Sequence, residues 1–276
     1  MQSSEMRKLA EGLVSVALDV GALQLAHRRG GVRAERKADE SPVTIADRES
    51  EALILAALAR LAPGVPVIAE EAVTAGAIPP IGDAFFLVDP LDGTKGYVRG
   101  DAEFTVNIAL IEGARPVFGL LYAPALCDFY VTLAPDVAMA AQVAPHSDVR
   151  DLDSIPLQRI HSRVPDPNAL AALTSNQHLN RATQAFLDGY NIVERKAVSS
   201  SLKFGLIARG LWDVYPRLAP TSEWDTAAGH AVLAAAGGTV TNIDGSPLRY
   251  GHASAKFINP DFVAWGRTPL PRVRSR

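Results

Sequence analysis

The sequence predicts a chain of the α/β class, because amphipathic helices and short apolar strands alternate along its 276 residues. Apolar residues at helical spacing predict a long helix over residues 5–28. Four consecutive apolar residues predict a short buried strand at 85–88. Three strands joined by short turns predict an antiparallel meander between residues 103 and 133.

The composition is that of a soluble protein with one large domain or two fused halves, since 48% of the residues are hydrophobic and 21% are charged. A formal net charge of −3 argues against broad binding of nucleic acid polymers or anionic membranes. Cys127 is the one cysteine, so neither an intrachain disulfide nor a thiolate metal cluster can form. We find neither a signal-peptide pattern nor an uninterrupted apolar stretch near the roughly 18 residues of a membrane helix. We therefore expect a cytoplasmic protein without integral membrane association.

The strand at 85–88 runs directly into two carboxylates, in the order Asp89-Pro90-Leu91-Asp92-Gly93-Thr94-Lys95. Pro90 fixes φ and lacks an N–H group, so we expect the strand to end there. Gly93 permits a tight turn, and the amides from it onward can open a helix that binds an anion. Two carboxylates beside an anion site suggest Mg²⁺ and phosphate, although an ordinary turn would explain Asp92-Gly93 alone.

A second acidic residue, Asp47, directly precedes a helical run over residues 48–61. Thr44 and Asp47 have the spacing of a capping box, in which a hydroxyl and a carboxylate satisfy the first backbone N–H groups of a helix. Capping alone would account for Asp47.

A third acidic segment, Glu70-Glu71, follows a short apolar strand at 65–68. Adjacent acids are usually surface charges. Because these acids follow an apolar strand as Asp89 does, we expect them at the same end of the sheet. The pattern assigns no role to Glu71.

The second half continues the alternation of strands and helices. We expect a boundary or a mobile loop in residues 134–160, which have weak periodicity and several prolines, and divide the chain into halves at 1–160 and 161–276. Strands are predicted at 169–175, 191–198, 211–217 and 239–243, and helices at 179–187, 199–208 and 223–236.

Two helices of the second half begin with polar residues. A serine run before a helix is usually an N-cap, but the hydroxyls and lysine of Ser199–Lys203 also suit a phosphate. Arg217 could pair with a phosphate or with a surface acid. Asp225 is suited to cap its helix and can still offer oxygens to a cation. The small residues Ala227–Gly229 allow a close helix contact.

These segments resemble the inositol-monophosphatase-like superfamily of Mg²⁺-dependent, lithium-sensitive phosphatases. Asp89–Thr94 matches the first signature, Asp-Pro-(Ile/Leu)-Asp-Gly-Thr, and Trp224–Gly229 matches the second, Trp-Asp-x-Ala-Ala-Gly. Pro42–Asp47 and Glu70-Glu71 are similar to two further segments, with Ala69 in place of the family's glycine. The resemblance extends over most of the chain and is weakest in the proposed boundary.

One branch, the 3'(2'),5'-bisphosphate nucleotidases, resembles the sequence most closely. The run Glu103–Ile111 is nearly that of the branch, and Lys95 agrees with it because the inositol-monophosphatase branch usually has threonine there. Lys95 adds a positive charge for a second phosphate, or is a solvated surface lysine. Ser199–Phe204 resembles a substrate-contacting segment of the branch, with Ser199 replacing glycine. The run Ser175–His178 lacks the arginine that the branch has before its histidine.

The resemblance implies an αβαβα sandwich of the sugar-phosphatase type and a complete active site. The implied ligands of two or three Mg²⁺ ions are Glu70, Asp89, the Leu91 carbonyl, Asp92 and Asp225. The implied catalytic residues are Asp47 and Thr94, which orient the attacking water, and Glu70. The implied substrate contacts are Gly93, Thr94, Lys95, Ser200, Ser201, Lys203 and Arg217.

The implied reaction is hydrolysis of a small-molecule phosphomonoester by metal-activated water. The leading substrate is 3'-phosphoadenosine 5'-phosphate, which yields AMP and phosphate. One alternative is an inositol or other sugar monophosphatase. Another is a metal-binding regulatory protein without catalysis, which the intact Asp47, Thr94 and four metal-binding acids disfavour. Homodimers are common among such enzymes.

Overall fold

The computed structural model describes residues 1–37, 42–176 and 180–271. In these ranges the α-helices are α1 (Ser3–Arg29), α2 (Ile45–Leu61), α3 (Glu70–Thr74), α4 (Thr94–Arg99), α5 (Arg181–Leu187), α6 (Leu202–Ala208) and α7 (Ala227–Ala235). The strands are β1 (Ala34–Arg36), β2 (Pro42–Thr44), β3 (Val67–Ala69), β4 (Ala84–Asp92), β5 (Thr105–Glu112), β6 (Arg115–Ala123), β7 (Asp128–Ala134), β8 (Val137–Gln142), β9 (Gln158–Ile160), β10 (Leu170–Ser175), β11 (Ile192–Val198), β12 (Val214–Arg217), β13 (Thr239–Asn242) and β14 (Phe262–Trp265). Short 3-10 helices occur at Leu152–Ser154, Glu223–Asp225 and Ala253–Ala255.

Within the described ranges, the strands form two large sheets and one small antiparallel pair, β1 and β2. The first sheet has seven strands in the order β3 to β9. Strands β3 and β4 are parallel, and the other neighbours in this sheet are antiparallel. The second sheet has the order β11-β10-β12-β14-β13, with β10 parallel to both of its neighbours.

The helices arrange these sheets into five layers. Helices α1 and α2 pack on one face of the seven-stranded sheet, against β4, β6 and β7. Helices α6 and α7 lie between the sheets, where α7 contacts β5 and β6 on one side and β13 on the other. Helix α5 covers the far face of the five-stranded sheet, against β12. The layer order is therefore αβαβα, as predicted.

The central helix layer approaches the first sheet closely because small residues face each other. A Cβ atom added to Gly119 in β6 would lie 2.3 Å from the carbonyl oxygen of Ala228 in α7. A Cβ atom added to Gly229 would lie 2.6 Å from the Cβ of Phe204 in α6. The Ala-Ala-Gly run therefore makes the close contact that its small side chains predict.

Helix α1 contains the helix predicted over 5–28 and covers the seven-stranded sheet. By length and apolar composition it could cross a bilayer, but half of its most apolar window is buried inside the protein. The buried side, which includes Leu13 and Leu18, packs on β6 and β7. In this fold α1 has the position of a core helix.

Strand β4 runs through Pro90 to Asp92, so the prediction that the strand ends at Pro90 is wrong. The register with β5 shifts between Asp89, which is opposite Asn107, and Asp92, which is opposite Thr105. An extra residue on β4 therefore forms a bulge. Because a bulged residue stays out of the hydrogen-bonded ladder, the missing N–H of Pro90 is tolerated in the strand.

The segment 134–160 contains more regular structure than its weak periodicity indicates. Strands β8 and β9 in this segment extend the first sheet, and the expectation of a loop there is wrong. The apolar signal of β8 is weak because its buried residues, Ala138 and Ala140, are small. The division into halves at 1–160 and 161–276 stays a prediction.

Two predicted features fall partly outside the described residues. The helix predicted over 179–187 is observed from Arg181, and Asn180 caps it by accepting a hydrogen bond from the Thr183 amide at 2.8 Å. Position 179 and the run Gln177-His178 lie outside the described ranges.

Candidate active site

Residues from both halves line a cavity of about 200 Å³. The first half contributes Glu70, Asp92, Gly93, Thr94 and Lys95, and the second half contributes Ser200, Ser201, Lys203, Arg217 and Asp225. The remaining predicted residues, Asp47, Asp89 and Leu91, are buried against residues that line the cavity. The fold therefore brings the residues predicted from six separate segments to one place.

The bulge and turn at the end of β4 are held by contacts from within and outside the turn. Asp89 accepts a hydrogen bond from the Leu91 amide at 2.9 Å. Gln24 of α1 donates from Nε2 to the Pro90 carbonyl at 2.7 Å. Gly93 then adopts a φ of 97°, a left-handed conformation that glycine takes without strain, and α4 starts after it. The two carboxylates of the turn are thereby fixed relative to the start of α4.

Sequence reasoning missed Gln24, which is fully buried. Gln24 lies on the apolar side of α1, one turn after Val20. A polar residue on an apolar stripe is the sequence signal that could have identified it. Besides its contact with Pro90, its Nε2 lies 3.2 Å from Ser50 Oγ, and its backbone carbonyl accepts a hydrogen bond from Tyr97 of α4 at 2.6 Å. The last turns of α1 therefore support both the β4 turn and α4.

Asp47 makes the contacts that both interpretations of the residue require. Its Oδ2 accepts hydrogen bonds from the Thr44 amide at 2.8 Å and the Thr44 hydroxyl at 2.6 Å, which completes the capping box of α2. Its Oδ1 lies 3.0 Å from the donating hydroxyl of Thr94, which is also 3.1 Å from the Leu91 carbonyl. Burial raises the pKa of Asp47. The carboxylate is thus placed to accept the single hydroxyl proton of Thr94 in a hydrogen bond.

The four acids predicted to bind metal form an electrostatically coupled group. Burial, followed by the charges of neighbouring acids, raises the pKa of Asp89. The same causes raise the pKa of Glu70 to about 8 and that of Asp92 to about 7, and burial also raises the pKa of Asp225. In the described part of the chain, no three His, Cys, Asp or Glu side chains are close enough to enclose a metal ion as they stand. The donor set nevertheless fits a divalent cation, because hard carboxylate oxygens with mutually unfavourable charges are neutralised by one.

Lys37 is a second residue that the sequence did not indicate. Its buried ammonium donates to Glu70 Oε1 and to Glu71 Oε1, both at 2.6 Å. Although burial acts to lower it, these two carboxylates raise the pKa of Lys37. Glu71, to which the sequence assigned no role, therefore shares the Lys37 ammonium with Glu70. Nothing in the sequence near Lys37 signals a contact over such a distance along the chain.

Asp225 is positioned by its own short helix. Its Oδ2 accepts hydrogen bonds from the Thr221 hydroxyl at 2.7 Å and the Ser222 amide at 2.9 Å. The 3-10 helix Glu223–Asp225 leads directly into α7. Asp225 is not the N-cap of α7 that the sequence predicted, because Thr226 has that position. Asp225 instead closes the capping box of the preceding 3-10 helix, and it lines the cavity.

Three predicted substrate contacts already have partners inside the protein. Ser201 Oγ donates to Asn107 Oδ1 at 2.6 Å and lies 2.8 Å from Thr105 Oγ1. The Lys203 ammonium donates to two backbone carbonyls and lies over the Tyr215 ring.

Arg217 is the third of these residues. Its guanidinium donates to the carbonyls of Ala219 at 3.1 Å and Pro220 at 2.7 Å. These carbonyls precede Thr221, which holds Asp225. Arg217 therefore supports the loop that leads to Asp225.

The model of the inositol monophosphatase family matches residues 2–264. The chain belongs to this family. The match covers the β4 turn and the start of α7, the two segments that carried the resemblance. Family membership, predicted from these two signatures, is confirmed.

Relatives of this chain include proteins named 3'(2'),5'-bisphosphate nucleotidase CysQ. The one from Shigella flexneri is 38% identical over 226 residues, which are 82% of this chain and 86% of that protein. The one from Buchnera aphidicola is 32% identical over 261 residues, which are 94% of each protein. The structure of CysQ from Bacteroides thetaiotaomicron, described as a bacterial member of the family, has a TM-score of 0.76 and 32% identity. The match covers 98% of this chain and 99% of the Bacteroides chain.

An IMPase structure from Thermotoga maritima shares the fold with a TM-score of 0.71 and 22% identity, covering 91% of this chain and 89% of that one. At this identity the likeness bears on the fold alone. The higher identity of the CysQ proteins agrees with the branch that Lys95 and the run Glu103–Ile111 indicated.

Proposed function

We propose that the chain is a Mg²⁺-dependent phosphomonoesterase that hydrolyses 3'-phosphoadenosine 5'-phosphate to AMP and phosphate. The observation that carries the proposal is the contact of Thr94 with Asp47 beside a cavity lined by acids and lysines. The CysQ relatives, which are 3'(2'),5'-bisphosphate nucleotidases by name, support the substrate.

The residues proposed to hold Mg²⁺ are Glu70, Asp89, the Leu91 carbonyl, Asp92 and Asp225. When bound, Mg²⁺ would supply Lewis-acid stabilisation of charge on phosphate and leaving-group oxygens and would make a water more acidic. Oxygen ligands of this kind suit Mg²⁺ better than softer metals.

Thr94 and Asp47 are proposed to orient and deprotonate the attacking water. When the Thr94 hydroxyl donates to Asp47, the lone pairs of its oxygen are left to accept a hydrogen bond from the water. As the water gives this proton to Thr94, the hydroxyl proton of Thr94 passes to Asp47. The raised pKa of Asp47, caused by burial, makes this carboxylate a better proton acceptor than an exposed aspartate. The Thr94–Asp47 pair then holds the water in place, and the other contacts of Asp47 fix this pair to α2.

The substrate is proposed to bind at the start of α4. The first amides of a helix have no partner within it, so those of Gly93 and Thr94 are suited to phosphate oxygens. Lys95, which is exposed at the same cavity, supplies a charge for the second phosphate. Ser200 faces the cavity from the second half and remains a proposed substrate contact.

The test is a comparison of phosphate release from 3'-phosphoadenosine 5'-phosphate and inositol 1-phosphate, each with and without Mg²⁺. We expect Mg²⁺-dependent release that is faster from the bisphosphate. Equal rates, or a preference for the inositol ester, would favour an inositol or sugar monophosphatase on the same site. Mg²⁺ binding without release from either compound would favour a regulatory protein. Homodimer formation and a cytoplasmic location stay predictions from the sequence.

A further inference from the structure

A short loop of the second half, Val198–Ser201, connects a buried lysine to an acid of the first half. We propose that Lys203 is a positioning residue, which fixes this loop so that the Ser201 amide orients the carboxylate of Asp92. This differs from the phosphate-contacting role that the resemblance implied for Lys203. The inference rests on the proposed function in that Asp92 is taken as a metal ligand.

The ammonium of Lys203 is engaged inside the protein. The residue is only 3% exposed, and its Nζ donates to the Val198 carbonyl at 3.0 Å and to the Ser200 carbonyl. It also lies 4.9 Å from the centroid of the Tyr215 ring, within the range of a cation–π interaction. Two of its three N–H groups therefore bind the backbone of the loop.

The loop that Lys203 holds has a strained backbone. Ser200 has a φ of 55°, a left-handed conformation that is unfavourable for residues with a Cβ atom. Such strain persists only where the surroundings enforce it. The hydrogen bond from Lys203 to the Ser200 carbonyl is a contact that can enforce it.

The strained residue aims the next amide at the metal site. The Ser201 amide donates to Asp92 Oδ2 at 2.6 Å. The Ser201 hydroxyl is fixed at the same time by Asn107 and Thr105 of β5. The hydrogen bond from the Ser201 amide fixes the orientation of the Asp92 carboxylate, whose remaining lone pairs are available to a cation. Lys203, through Ser200 and Ser201, thus acts on Asp92 in the first half.

The experiment compares three variants with the wild type: Lys203→Met, the double variant Lys203→Met with Ser200→Gly, and Lys95→Met as a contrast. Binding of Mn²⁺, which takes similar oxygen ligands, is measured by EPR without substrate. The kinetic constants kcat and KM for 3'-phosphoadenosine 5'-phosphate are measured at saturating Mg²⁺. Circular dichroism establishes that each variant is folded.

We expect Lys203→Met to weaken Mn²⁺ binding by about 10- to 100-fold and to lower kcat with little change in KM. Glycine adopts the conformation of Ser200 without strain, so Ser200→Gly should restore most of the Mn²⁺ affinity in the double variant. Lys95→Met should instead raise KM and leave Mn²⁺ binding unchanged.

A Lys203→Met variant with a raised KM and normal Mn²⁺ binding would overturn the proposal in favour of a direct substrate contact. If Lys203→Met does not fold, a folded, Mn²⁺-binding double variant supports the proposal and an unfolded one overturns it. A wild-type protein that binds Mn²⁺ without releasing phosphate overturns the proposed function, and the Mn²⁺ affinities still decide the role of Lys203.

Discussion

Single side chains in this site combine an observed structural role with a proposed chemical one. Asp47 completes the cap of α2 with one oxygen and accepts the Thr94 hydroxyl with the other. Asp225 closes a capping box at its 3-10 helix while facing the cavity. The two interpretations that the sequence left open for each residue are therefore compatible, because a carboxylate has two oxygens.

Replacement of Thr94 tests the proposed activation of water. Thr94→Ala removes the hydroxyl, and we expect kcat to fall by about 100-fold or more, the contribution typical of a positioned proton acceptor. Thr94→Ser keeps the hydroxyl and should retain most of the activity. Steady-state kinetics at saturating Mg²⁺ distinguish the two variants. Equal losses in both would show that the threonine methyl, rather than the hydroxyl, matters.

Replacement of Asp89 tests the metal site. Asp89→Asn keeps the shape of a side chain that is 1% exposed and can still accept the Leu91 amide. We expect loss of most activity and weaker Mn²⁺ binding without loss of thermal stability, because a buried charge is removed. Asp19→Asn, on the exposed side of α1, is the matched control and should leave both quantities unchanged. An active Asp89→Asn variant would exclude Asp89 as an essential ligand.

At this scale the sequence predicted the acids but not the partners that hold them. Asp89, Asp92 and Asp225 lie in short signatures, so local sequence was sufficient to find them. Gln24 and Lys37 contact the site from distant segments, and no local pattern reports a contact of that kind. The position of Gln24 depends on how α1 lies against the end of β4, and that of Lys37 on how the chain after β1 lies against α3.

At the scale of elements, the site depends on how closely α7 packs on β6. The contact relies on Gly119, which leaves room for the Ala228 carbonyl. Since α7 follows Asp225 directly, its position relative to the first sheet also sets the position of that acid. Sequence predicted α7 and β6 separately, and its small residues predicted a close contact, but the identity of the facing strand required the structure.

Gly119→Ala tests this contact. The added Cβ would lie 2.3 Å from the Ala228 oxygen, so α7 must shift. We expect a loss of about 1–3 kcal/mol in the free energy of unfolding, measured with urea, together with weaker Mn²⁺ binding. Gly82→Ala, where an added Cβ meets nothing within 4 Å, should leave both unchanged. Unchanged stability of Gly119→Ala would mean that α7 can move freely against β6.

At the scale of the whole molecule, two sheets and three helix layers bring the acids of distant segments together. The layer order could be predicted because the resemblance covered most of the chain, and it is confirmed. Strands β8 and β9 could not be predicted, since small alanines in β8 give a weak apolar pattern. The charge interactions between Asp225 and the acids of the first half arise only in the folded molecule.

This coupling predicts how the stability of the metal-free protein depends on pH. Glu70 and Asp92 have folded-state pKa values of about 8 and about 7, above those of an unfolded chain. The folded state therefore retains protons that the unfolded state releases, and the free energy of unfolding should fall as pH rises from about 5 to 8. Each carboxyl that stays protonated only in the folded state contributes about 1.4 kcal/mol per pH unit.

Thermal unfolding at pH 5 and pH 8, with and without Mg²⁺, measures this effect. Mg²⁺ should raise Tm more at pH 8, where fewer protons compete with it for the carboxylates. Asp92→Asn removes one of these carboxyls and should flatten the dependence of the metal-free protein on pH. A metal-free wild type that becomes more stable between pH 5 and pH 8 would contradict the prediction.

The order of the acids along the chain has a consequence for biosynthesis. Glu70, Asp89 and Asp92 leave the ribosome with the first strands of the seven-stranded sheet, whereas Asp225 follows only after most of the five-stranded sheet has been translated. Because domains fold from the N-terminus during synthesis, the first sheet can form long before the last acid is available. A growing chain therefore holds an incomplete site, and hydrolysis can begin only once α7 has docked on β6.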